Sequence, residues 1–396
     1  MTVALEKTSR GNAALAVAGI ALLTVFSILV LHVHDQWALL GVLVLAAAVG
    51  WGARKAGLVA SASQALAQRP VLLNSLVVAS FVAIVAFFHE DHFVLLLVAT
   101  LLLYTVVCLG LNLQIGYCGV MNFAGAAFFG TGAYTAAVLA SHTAVPHLLV
   151  LLAGGVAAAL IGSVLLLPVL RTRGHYAALV TIAFGTMFRS FLEVNDTLGG
   201  PQGLRVPALN LFGWDLSQGL EIGGISLSFY VNYVVLAFIL AALVFTFTRR
   251  IERSWVGLNF DAIRIDETAA ATFGLNIARW KITAFIFGNF LAGVAGAFFA
   301  LMTAFVAPTN FTFADSLVLL SIVVLGGIGN LWAILPAAAI VFLLSEAAAF
   351  ITGSCIRVDG GVPNARPTWT LQQHDRSKPF EGFLLAQPPK CLSVKD

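Results

Sequence analysis

Long apolar runs separated by short polar links make up most of the chain. A helix needs about 20 mostly apolar residues to cross a bilayer core about 30 Å thick, and most of these runs approach that length. The predicted spans are 12–31, 37–53, 71–88, 93–113, 120–140, 147–168, 176–193, 229–248, 281–302, 314–327 and 331–350. This pattern predicts an all-α fold, a polytopic membrane helix bundle with about 10 to 11 spans.

The predicted spans are not equally regular. The tenth is short, and the fifth and seventh contain many glycine and polar residues. Non-helical backbone at membrane depth is tolerated only where it is buried in protein or lines a water-filled cavity. We therefore expect some of these three spans to be broken or re-entrant.

The positions of the basic residues predict an orientation. If the N-terminus is cytoplasmic and the spans alternate, the outer loops before the last span receive only Arg205. The inner loops receive Lys7, Arg10, Arg54, Lys55, Arg69, Arg171, Arg173, Arg249, Arg250, Arg253, Arg264, Arg279 and Lys281. Such a bias is what the positive-inside rule describes. We predict a multi-pass protein of the cell (inner or plasma) membrane with a cytoplasmic N-terminus and a cytoplasmic loop at 249–280.

The composition agrees with a membrane protein and excludes several kinds of chemistry. Hydrophobic residues make up 60% of the chain and charged residues 10%, against roughly a quarter charged in a soluble domain. The four cysteines form no CxxC pair and have no histidine at ligand spacing, so neither a disulfide framework nor a metal site is expected. The sequence also lacks the GxxxxGK[ST] phosphate loop and the HExxH and GxSxG motifs. We expect no catalytic residue and no enzyme activity.

Ionisable residues are rare within the predicted spans. Arg189 and Glu193 are four apart on the seventh span, so they can pair with each other, and Glu346 lies in the last. A transporter driven by protons or sodium more often carries several carboxylates near the midplane. The scarcity here argues against ion coupling, so energy for active transport would come from another chain.

One charged stretch interrupts the apolar pattern, in the loop at 249–280. The sequence AIRIDETAAATFGLN (262–276) predicts a single amphipathic helix from Asp261 to Phe273, with Asn259 as N-cap and Gly274 at the C′ position. One stripe of this helix would carry Ala262, Ile265, Ala269 and Phe273. Two interpretations remain open: a helix at the lipid headgroups, or a surface that another protein approaches closely. Acidic residues beside an anionic leaflet favour the second.

Four segments follow one another within roughly residues 93–345: LNLQIGYCGVMNFAGAAFFGTGAYTAA (111–137), RGHYAALVTIAFGTMFRSFLEVNDTLGGPQGL (173–204), AIRIDETAAATFGLNIARWKITAF (262–285) and FTFADSLVLLSIVVLGGIGNLW (311–332). Together and in this order they resemble the branched-chain amino acid permease family of ABC importers. The second resembles the larger of the two permease types in that family. Asn259, Phe260 and Ala333 depart from the family pattern.

The resemblance implies a transmembrane subunit that lacks ATPase activity and needs no cofactor, because ATP is used by partner subunits. The implied partners are two cytoplasmic ATPase subunits, a second homologous permease, an extracytoplasmic solute-binding protein and the lipid bilayer, with no nucleic acid. The loop residues that match the family's ATPase-coupling pattern are Arg264, Asp266, Glu267, Ala269, Ala270 and Gly274.

The resemblance also suggests a division of the chain. Residues 1–92 would form N-terminal membrane helices, 93–350 the permease core, and 351–396 an atypical, poorly ordered polar tail. In that tail, ITGSCIRVDGG resembles the end of a short-chain dehydrogenase, although the cofactor motifs of that family are absent elsewhere. A gene fusion, rearrangement or truncation would explain the tail, and a coincidental polar tail is the alternative.

The solute and the residues that contact it are less determined. The implied solute is a branched-chain amino acid, with urea, amides or another small amphiphilic solute as alternatives, and an ion-coupled secondary transporter working alone as a different class. Glycines within spans permit either close helix packing or helix breaks that line a pathway. The candidates for a pathway or a helix break are Gly116, Gly119, Asn122, Gly125, Thr181 and Asn289.

Overall fold

The structure is a computed structural model, which describes residues 2–32, 36–58, 60–62, 70–143, 145–171, 176–211, 214–217, 219–222 and 225–344. The predicted tail at 351–396 lies outside the described residues, and so does Glu346. The expectations of poor order for the tail and of a carboxylate in the last span therefore stay predictions.

Each of the eleven predicted spans corresponds to a helix, which confirms the helix-bundle prediction. The helices are α1 (Thr2–His32), α2 (Gln36–Lys55), α3 (Pro70–Phe87), α4 (His92–Leu111), α5 (Gly125–His142), α6 (His147–Arg171), α7 (Tyr176–Val194), α8 (Tyr230–Glu252), α9 (Trp255–Ile265), α10 (Glu267–Thr272), α11 (Ile277–Thr303), α12 (Phe313–Gly326) and α13 (Ile334–Leu344). The short helices α9 and α10 lie in the loop between two spans.

Six stretches of the described residues are long and apolar enough to cross a membrane. They are Leu15–His32, His92–Tyr117, His147–Leu166, Tyr230–Glu252, Ile277–Thr303 and Pro308–Gly326. Helix α5 is not among them, because its glycines, threonines and tyrosine lower its hydropathy. Most of its residues are buried in the bundle, however, so lipid need not contact them.

The break expected in the irregular spans lies just before the fifth. Helix α4 passes into a π-helical turn, Asn112–Tyr117, and residues 118–124 are not helical. The fifth helix therefore starts at Gly125 rather than at the predicted residue 120. Helices α7 and α12 are continuous, so the break considered for the seventh and tenth spans is absent there. Most of this non-helical segment, here called the helix break, is buried by protein, which would also be required of it at membrane depth.

Helix α11 is the centre of the bundle and packs most extensively against α6, α5 and α4. Buried residues make up 78% of its most apolar stretch but only 28% of that of α8, which lies at the periphery. The approach of α11 to α5 requires glycine. A Cβ on Gly132 would lie 2.0 Å from the carbonyl oxygen of Gly293, and one on Gly296 would lie 1.8 Å from that of Phe129. These glycines serve close helix packing.

The segment between α7 and α8 forms short antiparallel strand pairs that the sequence pattern did not predict. Strand β1 (Leu204–Arg205) pairs with β6 (Phe305–Val306), which follows α11. This pairing ties the loop to the end of the central helix. The other pairs are local: β2 (Asn210–Leu211) with β3 (Trp214–Asp215), and β4 (Leu220–Ile222) with β5 (Ile225–Leu227).

Candidate coupling loop and helix break

The loop between α8 and α11 contains two helices, so the predicted single helix from Asp261 to Phe273 is wrong. Helix α9 begins after Ser254, whose side chain accepts a hydrogen bond from the backbone N–H of Val256. Asn259, predicted as the N-cap, lies inside α9. The predicted boundary failed because Ser254 offered the same capping chemistry earlier in the chain.

Asp266 separates the two helices. Its backbone is extended, with φ −155° and ψ 109°, and its carboxylate accepts hydrogen bonds from the N–H groups of Thr268 at 2.8 Å and Ala269 at 3.1 Å. An aspartate in this position satisfies two N–H groups that have no partner within the helix, and it complements the helix dipole. The residue predicted to lie within a helix is therefore the N-cap of α10.

The C-terminus of α10 has the geometry expected for Gly274. This glycine has φ +83°, and its N–H donates to the Ala271 carbonyl at 3.0 Å. The N–H of Leu275 donates to the Ala270 carbonyl at 3.2 Å, which completes a Schellman motif. Glycine adopts this left-handed backbone at no steric cost. Helix α10 is thus a six-residue helix capped at both ends.

The coupling-loop residues chosen from the sequence divide into internal and exposed groups. Ala270 is buried, and Glu267 accepts a hydrogen bond from Lys281 Nζ at 2.6 Å, which ties α10 to α11. Arg264 pairs with Asp261 at 3.2 Å. Ala269 is exposed. So are two large apolar side chains of the predicted stripe, Ile265 (79%) and Phe273 (87%).

The loop lies against the chain that follows α4. A Cβ on Gly119, which has φ +71°, would be 3.7 Å from Cγ of Arg264. The buried Cys118 thiol lies near the Glu267 and Lys281 pair. The loop and the helix break are therefore neighbours.

Three buried amide side chains hold the break against α11. Gln114 Nε2 donates to Asn289 Oδ1 at 2.9 Å and to the Phe285 carbonyl at 3.1 Å. Asn122 Nδ2 donates to Gln114 Oε1 at 2.8 Å and to Asn289 Oδ1 at 3.1 Å. All three amides are 1% exposed or less. Burying a polar group is costly unless it is hydrogen-bonded, so these bonds favour one geometry for the break, although Asn289 Nδ2 has no hydrogen-bond partner among the described residues.

Side-chain oxygens, from distant helices and from the break itself, accept hydrogen bonds from backbone N–H groups in and beside the break. Thr181 Oγ1 on α7 accepts from the Phe123 N–H at 3.1 Å, and Ser316 Oγ on α12 accepts from the Ala126 N–H at 3.1 Å. Asn122 Oδ1 accepts from the Ala124 N–H at 2.9 Å. Asn112 Oδ1 accepts from the Gly329 N–H at 2.9 Å.

The structure brings the six predicted pathway or break residues to one region, with different roles. Asn122, Asn289 and Thr181 form the hydrogen bonds of the break. A Cβ on Gly116 would lie 2.2 Å from Asn112 Oδ1, and one on Gly125 would lie 3.1 Å from the Leu111 side chain, so both glycines permit close packing. Gly119 supplies a left-handed turn.

Sequence reasoning missed Gln114 and Ser316 in this region. Gln114 had a signal, because it is a polar residue within an apolar run. Ser316 had no such signal, because the hydroxyl of a serine in a span usually bonds the backbone of its own helix.

Two further expectations concern groups outside this region. Arg189 Nε donates to Glu193 Oε1 at 2.8 Å, which confirms the predicted pairing of these two residues. Across the described residues, no group of three histidine, cysteine or acidic side chains is placed to hold a metal.

The fold and these two regions define a multi-pass α-helical membrane protein with a broken helix and a capped helix on a connecting loop. The chain belongs to the family described as "Branched-chain amino acid transport system / permease component", whose model matches residues 93–370.

Sequence similarity to named proteins supports this membership. The chain is 36% identical over 259 residues to the high-affinity branched-chain amino acid transport system permease protein LivM of Salmonella typhimurium, covering 62% of this chain and 61% of the relative. It is 36% identical over 264 residues to the Escherichia coli protein of the same name, covering 63% and 62%. A probable branched-chain amino acid transport permease protein LivM of Methanocaldococcus jannaschii is 25% identical over 263 residues, covering 58% and 73%. The chain thus spans less than two thirds of the length of the first two relatives. No solved structure matches it.

Proposed function

We propose that the chain is the transmembrane permease subunit of an ATP-driven importer for branched-chain amino acids. It would form half of the translocation pathway and couple to separate ATPase subunits. The observation that carries the proposal is α10, a short exposed helix capped at both ends, in a chain of a permease family. The names of the relatives support the solute class.

The capped helix suits a mechanical contact. Its caps hold α10 rigid, and the bond from Lys281 to Glu267 fixes it to α11. The exposed Phe273 and Ile265 provide large apolar anchors, while Ala269 lets another surface approach closely. Exposed apolar groups on a polar loop mark protein-binding surfaces, and aromatic anchors carry most of the energy of such contacts. The partner would be a groove of an ATPase subunit.

Helix α11 offers a direct route from this contact to the helix break. Lys281, Phe285 and Asn289 follow one another at four-residue intervals, so they lie on one face of α11. Lys281 bonds the capped helix, and Phe285 and Asn289 bond Gln114. A displacement of α10 would therefore move the network that holds residues 118–124. In this proposal Gly116, Gly119, Asn122, Gly125, Thr181 and Asn289 shape that moving element.

The remaining parts of the proposal come from the family. The partners would be two cytoplasmic ATPase subunits, a second homologous permease and an extracytoplasmic binding protein, and ATP would be consumed by the ATPase subunits. The chain would be the larger permease type, placed in the inner membrane with its N-terminus in the cytoplasm. The 93–350 core would carry transport, with 1–92 as additional membrane helices; the family match begins at residue 93.

The tail at 351–396 would result from a fusion, rearrangement or truncation. Its resemblance to the end of a short-chain dehydrogenase supports this origin, whereas the family match extends to residue 370 and so includes the first 20 residues of the tail. Sequencing the genomic locus tests the idea. A locus that encodes this tail without interruption in several independent isolates would contradict it.

Reconstitution tests the function. The chain is inserted into vesicles with the ATPases, second permease and binding protein encoded beside it, and uptake of labelled leucine is measured with and without ATP. We expect ATP-dependent uptake that unlabelled isoleucine and valine inhibit. Inhibition by urea or small amides, but not by isoleucine or valine, would mean that the solute is urea or an amide rather than a branched-chain amino acid. Uptake without any ATPase subunit would refute the importer proposal.

A variant pair tests the coupling surface. Phe273→Ala removes the largest exposed anchor of the loop, and Phe305→Ala is the control, because Phe305 is exposed at the opposite end of α11. We expect Phe273→Ala to weaken ATPase binding about tenfold or more, as for a central aromatic anchor. The control should bind normally. Equal binding of the ATPase subunit by both variants would show that Phe273 is not part of the interface with that subunit.

A further inference from the structure

The exposed apolar surface of α8 ends near a cluster of arginines. Val235, Ile239, Leu243 and Phe247 are exposed along one stripe of this peripheral helix. Arg250 continues the same stripe, because it follows Phe247 by three residues and Leu243 by seven. Its side chain therefore leaves the helix on the same side as this exposed apolar stripe, at the end of the apolar span.

A neighbouring arginine is held at the same level by aromatic rings. The guanidinium of Arg249 lies over the ring of Trp332, 4.7 Å from its centroid, and the Trp332 ring packs edge-on against Phe245 at 4.9 Å. Tryptophan is enriched where the bilayer meets water, since its ring is apolar and its N–H is polar. The contact orients Arg249 and leaves its planar donors available to another group.

Within the described part of the chain, these arginines lack the acidic partners that several other basic residues have. Arg189, Arg264 and Lys281 each pair with a carboxylate. By contrast, Arg249, Arg250 and Arg253 have no carboxylate within salt-bridge distance among the described residues. Glu252 lies between them in sequence, but its carboxylate is near Tyr117. The three lie within five residues at the end of α8 and are here called the α8 arginine cluster.

We propose that the α8 arginine cluster binds the phosphate headgroup of an anionic phospholipid in the adjacent leaflet. Arginine presents a planar fork of donors that matches phosphate oxygens, and it is less strongly hydrated than lysine. The acyl chains of the bound lipid would lie along the exposed apolar stripe of α8. This site is independent of the proposed transport function, because it needs neither the partner subunits nor the solute.

The purified chain in a neutral detergent tests the site without any partner. Phosphatidylglycerol or phosphatidylcholine is titrated in, and bound lipid is counted by native mass spectrometry while the thermal unfolding midpoint is followed. We expect phosphatidylglycerol to bind and to raise the midpoint more than phosphatidylcholine. Each arginine contributes about fivefold to the affinity, so Arg250→Gln with Arg253→Gln should weaken phosphatidylglycerol about 25-fold.

Two further variants separate a binding defect from a folding defect. Arg205→Gln is the matched control, because Arg205 is an exposed arginine on β1 rather than on α8, and it should leave lipid binding unchanged. Arg249→Lys keeps the charge but loses the planar fork, so it should bind more weakly than the unmodified chain while the midpoint without lipid stays the same.

Three results would overturn the proposal. One is equal binding of phosphatidylglycerol by the unmodified chain and by the double variant. Another is equal stabilisation by inorganic phosphate, which would make the site one for free phosphate. The third is unchanged lipid binding combined with lost retention of the ATPase subunits by the double variant, which would make the cluster a contact for an acidic protein surface.

Discussion

The capped loop helix and the helix break both interrupt the pattern of long membrane helices, but they are held by different means. The caps of α10 join residues two or three positions apart, such as Asp266 with Thr268 and Ala269. The bonds of the break join residues 58, 175 and 190 positions apart in the chain. The loop helix is therefore a local structure, whereas the break exists only in the assembled bundle. Substitutions should affect the two regions by different amounts.

The largest expected difference is between two glycines. Gly116→Ala places a Cβ 2.2 Å from Asn112 Oδ1 and 2.6 Å from the Gly329 backbone nitrogen, so the packed break must shift. We expect a loss of about 3 kcal/mol in the free energy of unfolding, measured by denaturant titration in micelles. Gly274→Ala meets no atom within 4 Å and should lose only about 1 kcal/mol from its φ of +83°. Similar losses in both variants would contradict the comparison.

Removal of a buried amide should have the next largest effect. Asn289 Oδ1 accepts hydrogen bonds from both Gln114 and Asn122, and Asn289→Ala removes this shared acceptor. We therefore expect the free energy of unfolding to fall by about 2 kcal/mol. Asn259→Ala on α9 is the control, and the free energy of unfolding should change by about 0.5 kcal/mol or less. A loss no larger than that of the control would show that the amide network does not stabilise the break.

A smaller effect is expected at the cap of the loop helix. Asp266→Ala removes both hydrogen bonds to the N–H groups of α10 and should cost about 1 kcal/mol, seen as faster amide hydrogen exchange within α10. Asp266→Asn keeps an acceptor of the same shape and should exchange almost as slowly as the unmodified chain. Fast exchange in the asparagine variant would mean that charge, rather than capping, holds the helix.

The smallest effect is expected for the ion pair between α10 and α11. Lys281 and Glu267 have side-chain exposures of 19% and 57%, so solvent screens their attraction. A double-mutant cycle with Lys281→Met and Glu267→Gln should give a coupling of about 0.5 kcal/mol that decreases at high salt. A coupling that salt leaves unchanged would indicate a desolvated contact.

Much of the fold could be predicted, because its signals are local or depend on composition. Long apolar runs placed the eleven helices that correspond to predicted spans among the described residues, and the pattern around Gly274 placed the end of α10. Errors arose where two local signals competed. Asn259 and Ser254 can both cap a helix, and Asp266 suits both the interior of a first turn and an N-cap, so the pattern alone could not choose between one helix and two.

The candidate site was predictable only in part. Asn122, Thr181 and Asn289 were notable as polar residues in apolar spans, but each has a simple alternative, a bond to its own or a neighbouring helix. Ser316 and the pairing of β1 with β6 had no signal, because their partners are more than 90 residues away in the chain. Long-range partners depend on how the helices pack, and a single sequence does not reveal that arrangement.

The sequence by itself determined the membrane environment, the approximate positions of the long helices among the described residues and the presence of a charged, capped segment between two spans. These properties follow from transfer free energies and from hydrogen bonds within a few residues. Only the tertiary structure decided that α11 is central, that Gln114, Asn122 and Asn289 meet, and that the α8 arginine cluster has no acidic partner among the residues that the structure describes. Each of these depends on side chains from separate helices that come together when the bundle packs.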